Sequence, residues 1–272
     1  MADIEDIAWT AILIPPLVLG TVEGLTEFLP ISSTGHLILL VHLLGFEMPP
    51  GRVFEIAIQS GAILAVVVVH FRRLAGIATG LRTDPAARGF IRNIVLTSIP
   101  AAALGIAFQD AILRHLFDPR VVAIALVIGG VVMFVADRLR LRVRFTEIAN
   151  MTPGAAVMIG LAQSVALVPG VSRSAATIIG ALVLGVERRT AAEYSFFAAV
   201  PVLFGATLFR LSETASDLTV PDLVILLLGA LTAFAFASLS IRFLLAVVTR
   251  YGFAPFAIYR IVLGTVLLSF IL

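Results

Sequence analysis

Six stretches of this 272-residue chain, roughly 53–71, 93–109, 119–136, 190–210, 221–248 and 252–272, are apolar over the length of a bilayer-crossing helix, about 20 residues. Hydrocarbon offers no partner for a backbone amide, so such segments are confined to helices or a closed barrel. Composition points to the bilayer as well. Hydrophobic residues make up 60% of the chain and charged residues 13%, too little polarity to cover a soluble globule of this size. The fold expected is an all-α polytopic membrane protein, one membrane domain over residues 1–272.

Several classes of function are set aside by the same counts. All 19 basic residues are arginine and face 17 acids, a formal charge of +2, so nothing marks a nucleic-acid surface. Cysteine is absent, which removes disulfides, thiolate chemistry and Cys-ligated metals. Asp3, Glu5 and Asp6 stand where a signal peptide would carry positive charge, so the N-terminus is expected to be retained.

Two further apolar stretches, 8–46 and 151–185, are interrupted midway by polar, turn-forming residues: Pro-Ile-Ser-Ser-Thr-Gly-His (30–36) and Pro-Gly-Val-Ser-Arg-Ser (169–174). Each reads as a re-entrant hairpin, two short helices meeting inside the membrane. Non-helical backbone at that depth has to be buried in protein or to line a wet cavity. Arginines cluster in 72–92, 137–150 and 187–193, which the positive-inside bias places in the cytoplasm. Both termini then lie outside.

The two hairpins align at an offset of 140 residues, pairing Gly20 with Gly160, Glu23 with Gln163, Ser32 with Ser172 and Thr34 with Ser174. A hairpin followed by three spans occurs twice, about 8–136 and 151–272. An odd number of spans inverts the second copy. The expectation is six transmembrane helices plus two re-entrant hairpins in two inverted-topology repeats, an arrangement that puts a site where the broken helices meet.

The breaks carry the chemistry. Glu23 and Glu27 are four residues apart on one helical face, where like charges repel. Each intramembrane charge costs roughly 2.5–3.5 kcal/mol on insertion scales. A compensating cation, a shared proton or a hydrated position near the headgroups would each relieve them. Hard cations choose oxygen ligands, so Glu23 and Glu27 are the metal candidates, with Mg²⁺ or Ca²⁺ as the ion. Ser32, Ser33 and Thr34 open a short helix, where hydroxyls and first-turn amides receive anions; three in succession exceed what a cap needs. His36, in the first turn, is a candidate proton relay. From the second break come Gly170, Ser172, Arg173 and Ser174. Arg173 stands alone in an apolar setting and requires an anionic partner: a phosphate, which suits its planar fork, or Glu23 or Glu27.

Weaker candidates surround these. Glu55 and Gln59 share one face of the next span, as supports of the site or as its outer end. Glu193 and Tyr194 are expected to anchor a helix at the interface, Trp9 and Tyr251 to sit in aromatic belts, and Arg242 and Arg260 to form internal pairs. His42, His70 and His115 show no metal spacing.

EGLTEFLPISSTGHL (23–37), FEIAIQSGAILAVVV (54–68), PGVSRS (169–174) and EYSFFAAVP (193–201) resemble the bacterial undecaprenyl-diphosphatase family, also known as bacitracin-resistance proteins. The resemblance runs along essentially the whole chain. It implies the same inverted-repeat fold and an integral membrane phosphatase, placed in the bacterial plasma membrane with its site facing outward. The reaction implied converts C55 isoprenyl pyrophosphate to the monophosphate, recycling the lipid carrier of peptidoglycan synthesis. Carried onto this chain, the family's acidic motif falls on Glu23 and Glu27, its hydroxyl motif on Ser32, Ser33, Thr34 and His36, and its arginine on Arg173. One departure is Ala175, where the family often has glycine. On this reading Ser33, or an activated water in its place, attacks the terminal phosphorus, Glu27 with His36 handles the proton, and Arg173 with a divalent ion neutralises the phosphate oxygens. The partners implied are the lipid pyrophosphate and bilayer lipids, with a homodimer left open. The competing reading is a transporter or flippase for polyprenyl phosphates.

Overall fold

The structure, a computed structural model, describes residues 4–44, 53–139, 141–214 and 218–271. The side chains of Trp9 and His42 lie outside the described set. Twelve α-helices follow in order among the described residues: α1 Ile4–Thr26, α2 Ser33–Leu44, α3 Val53–Val69, α4 Phe71–Gly80, α5 Pro85–Ala107, α6 Gln109–His115, α7 Pro119–Arg138, α8 Pro153–Ser164, α9 Arg173–Val183, α10 Arg188–Thr214, α11 Val220–Tyr251 and α12 Ala254–Ile271.

Local sequence sets many of the ends. Asp84-Pro85, Asp118-Pro119 and Thr152-Pro153 start α5, α7 and α8: the side-chain oxygen accepts a first-turn amide while proline supplies a helical φ without an amide to satisfy. Gly252, at φ 69°, ends α11 in a conformation glycine adopts without strain.

Four helices, α5, α7, α10 and α11, are long and apolar enough to cross a membrane, and the chain is a multi-pass membrane protein. The sequence led us to expect six. The segment expected as a single span at 53–71 bends by 73° into α4, and the pair counts as a fifth crossing if taken together. α12 begins at Ala254, after Gly252 has closed α11, and its described apolar stretch runs to Phe270, with Leu272 outside the described residues. The chain does break at both positions read as hairpins, between α1 and α2 and between α8 and α9.

α1 packs along α11, and α8 along α5. Each contact depends on a glycine that lets backbones touch, as small residues do between membrane helices. An added Cβ on Gly20 would lie 2.5 Å from the Gly229 carbonyl oxygen, and one on Gly160 2.5 Å from the Thr97 carbonyl oxygen. α3 also lies on α11, and α12 on α7. The core between these layers holds Phe28, Ile178, Tyr194, Phe196 and Phe253, with Phe28 meeting Phe196 edge-to-face at 5.4 Å.

Tyr194 corrects an expectation. Instead of anchoring an interface it is buried, its hydroxyl donating to the Asn93 carbonyl at 3.0 Å and touching Thr97 Oγ1. Its neighbour Glu193 does sit nearer the surface, ion-paired with Arg73 at 2.5 Å and Arg189 at 3.2 Å. Arg242 is exposed, so its expected internal pairing does not occur.

Candidate functional site

The two breaks are built alike. Ser32 has φ 72° and Ser172 φ 71°, and among the described residues no other non-glycine residue has positive φ. That conformation is costly for a side chain with a Cβ, and it concentrates at functional sites. Each serine then caps the helix it introduces. Ser32 Oγ accepts the Gly35 amide at 3.3 Å and Ser172 Oγ accepts the Ala175 amide at 3.2 Å. The residue that follows each cap, Ser33 in one and Arg173 in the other, opens the helix.

These two residues meet on Glu27. Ser33 Oγ donates a short hydrogen bond to Glu27 Oε2, while Arg173 Nη2 donates to Glu27 Oε1 at 2.8 Å. The second arm of the guanidinium, Nη1, donates to the Ser195 carbonyl at 2.6 Å, and Phe28 lies beneath it at 5.9 Å. Arg173 Nε is buried with no hydrogen-bond partner among the described residues, leaving its N–H unused. A buried ion pair is costly to break from one side, about 3–5 kcal/mol, so Glu27 and Arg173 hold each other across the two halves of the chain.

A cavity of about 190 Å³ opens beside this triad. Glu27, Ser33, Thr34, Gly170, Ser172 and Arg173 line it, together with Ser32, Gln59 and Gln163. Most of the candidates thus come together, and Gln59 joins them. Three stand apart. Ser174 Oγ reaches across to the Leu29 carbonyl at 3.0 Å and ties one break to the other. His36 is not in the wall: Nδ1 lies 2.7 Å from the Ser32 carbonyl and Nε2 2.7 Å from the Tyr259 hydroxyl, with the two rings stacked. A carbonyl only accepts, so Nδ1 carries a proton and fixes Ser32's backbone.

Glu23 lies one turn behind Glu27, fully buried, and neither of its carboxylate oxygens has a hydrogen-bond partner. Glu27, Glu55 and Arg173 all bear electrostatically on it, so acids outnumber the guanidinium there. A surplus of negative charge repels an anionic substrate unless a cation or proton offsets it. Among the described residues no group of three or more His, Asp or Glu side chains could hold a metal. The unpartnered oxygens of Glu23 leave a hard cation as one way to offset that charge.

One residue was read only as an internal partner. Arg260, fully buried in α12, pairs with no acid among the described residues. It donates to the carbonyls of Pro30 (3.3 Å) in the first break, Gly170 (3.1 Å) and Val171 (2.7 Å) in the second, and Ala125 (3.2 Å) and Leu126 (3.4 Å) on α7. One guanidinium therefore satisfies the backbone that both breaks leave open. Its signal in the sequence was a charge in the middle of an apolar span, which marks a functional or structural need without naming the partner.

Fold and site together define a multi-pass helical membrane protein with a polar centre assembled where two pairs of helices are broken. The sequence model described as bacitracin resistance protein BacA matches residues 16–266, and the chain belongs to that family. Among its relatives, an undecaprenyl-diphosphatase of Parvibaculum lavamentivorans is 48% identical, over 93% of this chain and 95% of its own length. Undecaprenyl-diphosphatase 2 of Paramagnetospirillum magneticum is 46% identical over 96% of this chain and 99% of its own. An undecaprenyl-diphosphatase of Sphingopyxis alaskensis is 47% identical over 91% and 94%.

Proposed function

We propose that this protein hydrolyses undecaprenyl pyrophosphate to undecaprenyl phosphate and inorganic phosphate. The observation that carries the reading is the contact of Ser33, Glu27 and Arg173 at one cavity, a hydroxyl held by a carboxylate that is itself held by a guanidinium. Relatives bearing the name undecaprenyl-diphosphatase supply the substrate.

The Ser33 hydroxyl attacks the terminal phosphorus as Glu27 Oε2 takes its proton. The bond from phosphorus to the bridging oxygen breaks, and undecaprenyl phosphate leaves. The departing undecaprenyl phosphate takes the proton from Glu27, and the freed carboxylate then deprotonates water, which displaces the serine oxygen; that oxygen takes the proton back as phosphate is released. Arg173, by letting go of Glu27 or by turning its unused Nε–H inward, stabilises the equatorial oxygens. First-turn amides of α2 and α9 suit the remaining oxygens. Glu23 and Glu27 would hold a divalent cation, Mg²⁺ or Ca²⁺, which when bound lowers the charge carried by the phosphates. Thr34, Gly170 and Ser172 shape the wall around the headgroup.

The membrane arrangement belongs to the same proposal: α1–α2 and α8–α9 as re-entrant pairs, each opening an inverted repeat of about 8–136 or 151–272, in a bacterial plasma membrane with the site facing outward. Matched glycine contacts at Gly20 and Gly160 and matched caps at Ser32 and Ser172 support it. Reporters fused after Leu272 and inserted near Thr83 should face opposite sides; the same side for both would end the inverted-repeat reading.

The deciding assay is phosphate release by the purified protein from a long-chain prenyl pyrophosphate, with and without chelator. Turnover that vanishes with chelator and returns with Mg²⁺ or Ca²⁺ is expected. Full turnover in excess chelator would leave a shared proton on Glu23 and Glu27 instead. Binding without any hydrolysis would favour a transporter, since broken helices in inverted repeats also build transporters.

A further inference from the structure

A second cavity, about 450 Å³, runs along α7, α8 and α9, and no residue that lines it has a polar side chain. Ile124, Ile128 and Val132 form one stripe on α7 at spacings of four; Val165 follows α8, and Ala176 and Ile179 form the α9 wall. From Val121 to Val132 the groove extends roughly 16 Å at the helical rise. Its rim is open: Ile128 is 58% and Val165 56% exposed.

Two features connect it to the polar centre. Val168 lines both cavities. Ala125 and Val171, also in the groove's wall, give their carbonyls to Arg260, the residue that fixes both breaks. An apolar, open-sided groove that starts at an anion cavity suits a ligand with a charged head and a hydrocarbon tail. An ordinary phospholipid keeps its headgroup at the interface and would have no reason to begin here.

Resting on the function proposed above, we infer that this groove seats the first isoprene units of the substrate's polyprenyl chain, aiming the pyrophosphate at Ser33. Lipid tails are as apolar as the groove, so its contribution is one of packing and orientation, and the effect of filling it is moderate.

The test compares two substrates with the same headgroup, a long-chain polyprenyl pyrophosphate and a five-carbon prenyl pyrophosphate too short to follow the groove. Both are assayed with the full-length protein in one mixed-micelle system. Ile128→Trp places an indole across the open side, and Val165→Trp does so from the opposite rim. Each should lower kcat/KM for the long chain by about fivefold, mostly through KM, and leave the short substrate unchanged, so the long-to-short ratio falls. Leu239→Trp on α11, 61% exposed and on a helix that contributes no residue to the groove, should leave the ratio alone. Equal effects on both substrates, or none on either, would overturn the groove while wild-type turnover keeps the hydrolase reading intact. No turnover of either substrate by the wild type would remove both.

Discussion

The first and second breaks share a backbone and differ in charge. Ser32 and Ser172 adopt the same left-handed conformation, cap their helices through the same side-chain bond, and follow a helix whose glycine touches a neighbouring backbone. Around this common frame the first break carries Glu23, Glu27 and Ser33, whereas the second places Gln163, Leu167 and Arg173 at the same offsets. The difference teaches that the frame is a device for presenting helix N-termini, and that the chemistry comes from opposite charges placed on its two copies. Two identical breaks would bring acid to acid or cation to cation. Divergence lets Arg173 close on Glu27.

The most severe way to break this pairing is to remove the hydroxyl. Ser33→Ala should leave folding and substrate binding in place while single-turnover phosphate release falls on the order of 10³ or more. A near wild-type rate would exclude covalent catalysis by Ser33 and favour attack by water. Next in size is Arg173→Lys, which keeps the charge of the second break but loses the fork that spans Glu27 and the Ser195 carbonyl. Hydrolysis should drop on the order of 10², about the cost of one transition-state donor. An unchanged rate would mean that charge alone serves.

Arg260→Met tests whether both breaks depend on one clamp. It leaves carbonyls of both loops unsatisfied, so we expect a loss of about 2–4 kcal/mol in stability, read as a lower Tm in micelles, together with reduced activity. Ser33→Ala should not move Tm in this way. A stable but inactive Arg260→Met would assign the residue to the reaction instead. The smallest effects should come from the caps themselves. Ser32→Gly and Ser172→Gly relieve the positive φ while losing a capping oxygen, so stability should change by less than about 1 kcal/mol in each. Matching responses would sharpen the equivalence of the two breaks; a large loss at only one would show that its serine has a further role in binding the headgroup.

The sequence was legible where local rules operate. Apolar length marked the membrane class, and the position of each break was visible as polar residues within hydrocarbon-length stretches. Both the Glu27 and Arg173 candidates proved to face one cavity. Less was legible where hydropathy alone was the guide. The bend after Val69 does not alter apolarity, so of the six spans expected, four helices, or five with the bent pair, have the length to cross among the described residues. Tyr194 next to arginines looked interfacial because composition near a helix end says nothing of which way the side chain turns.

By itself the sequence determined that the chain lives in a membrane as helices, that two of its helix pairs are broken, and which reactive groups stand at the breaks. Those are consequences of the cost of exposing amides and charges to hydrocarbon, and they act over a few residues. Tertiary structure alone decided which groups meet. Glu27 and Arg173 are 146 residues apart, and Arg260 and Pro30 are 230 apart. Only the packing of α1 on α11, α8 on α5 and α12 on α7 sets such distances. It turned Ser33 toward Glu27, turned His36 toward Tyr259, and gave a lone buried arginine five carbonyls in place of an acid. A buried donor takes whatever acceptor the fold brings within about 3 Å, and that choice is made by geometry after the chain has closed on itself.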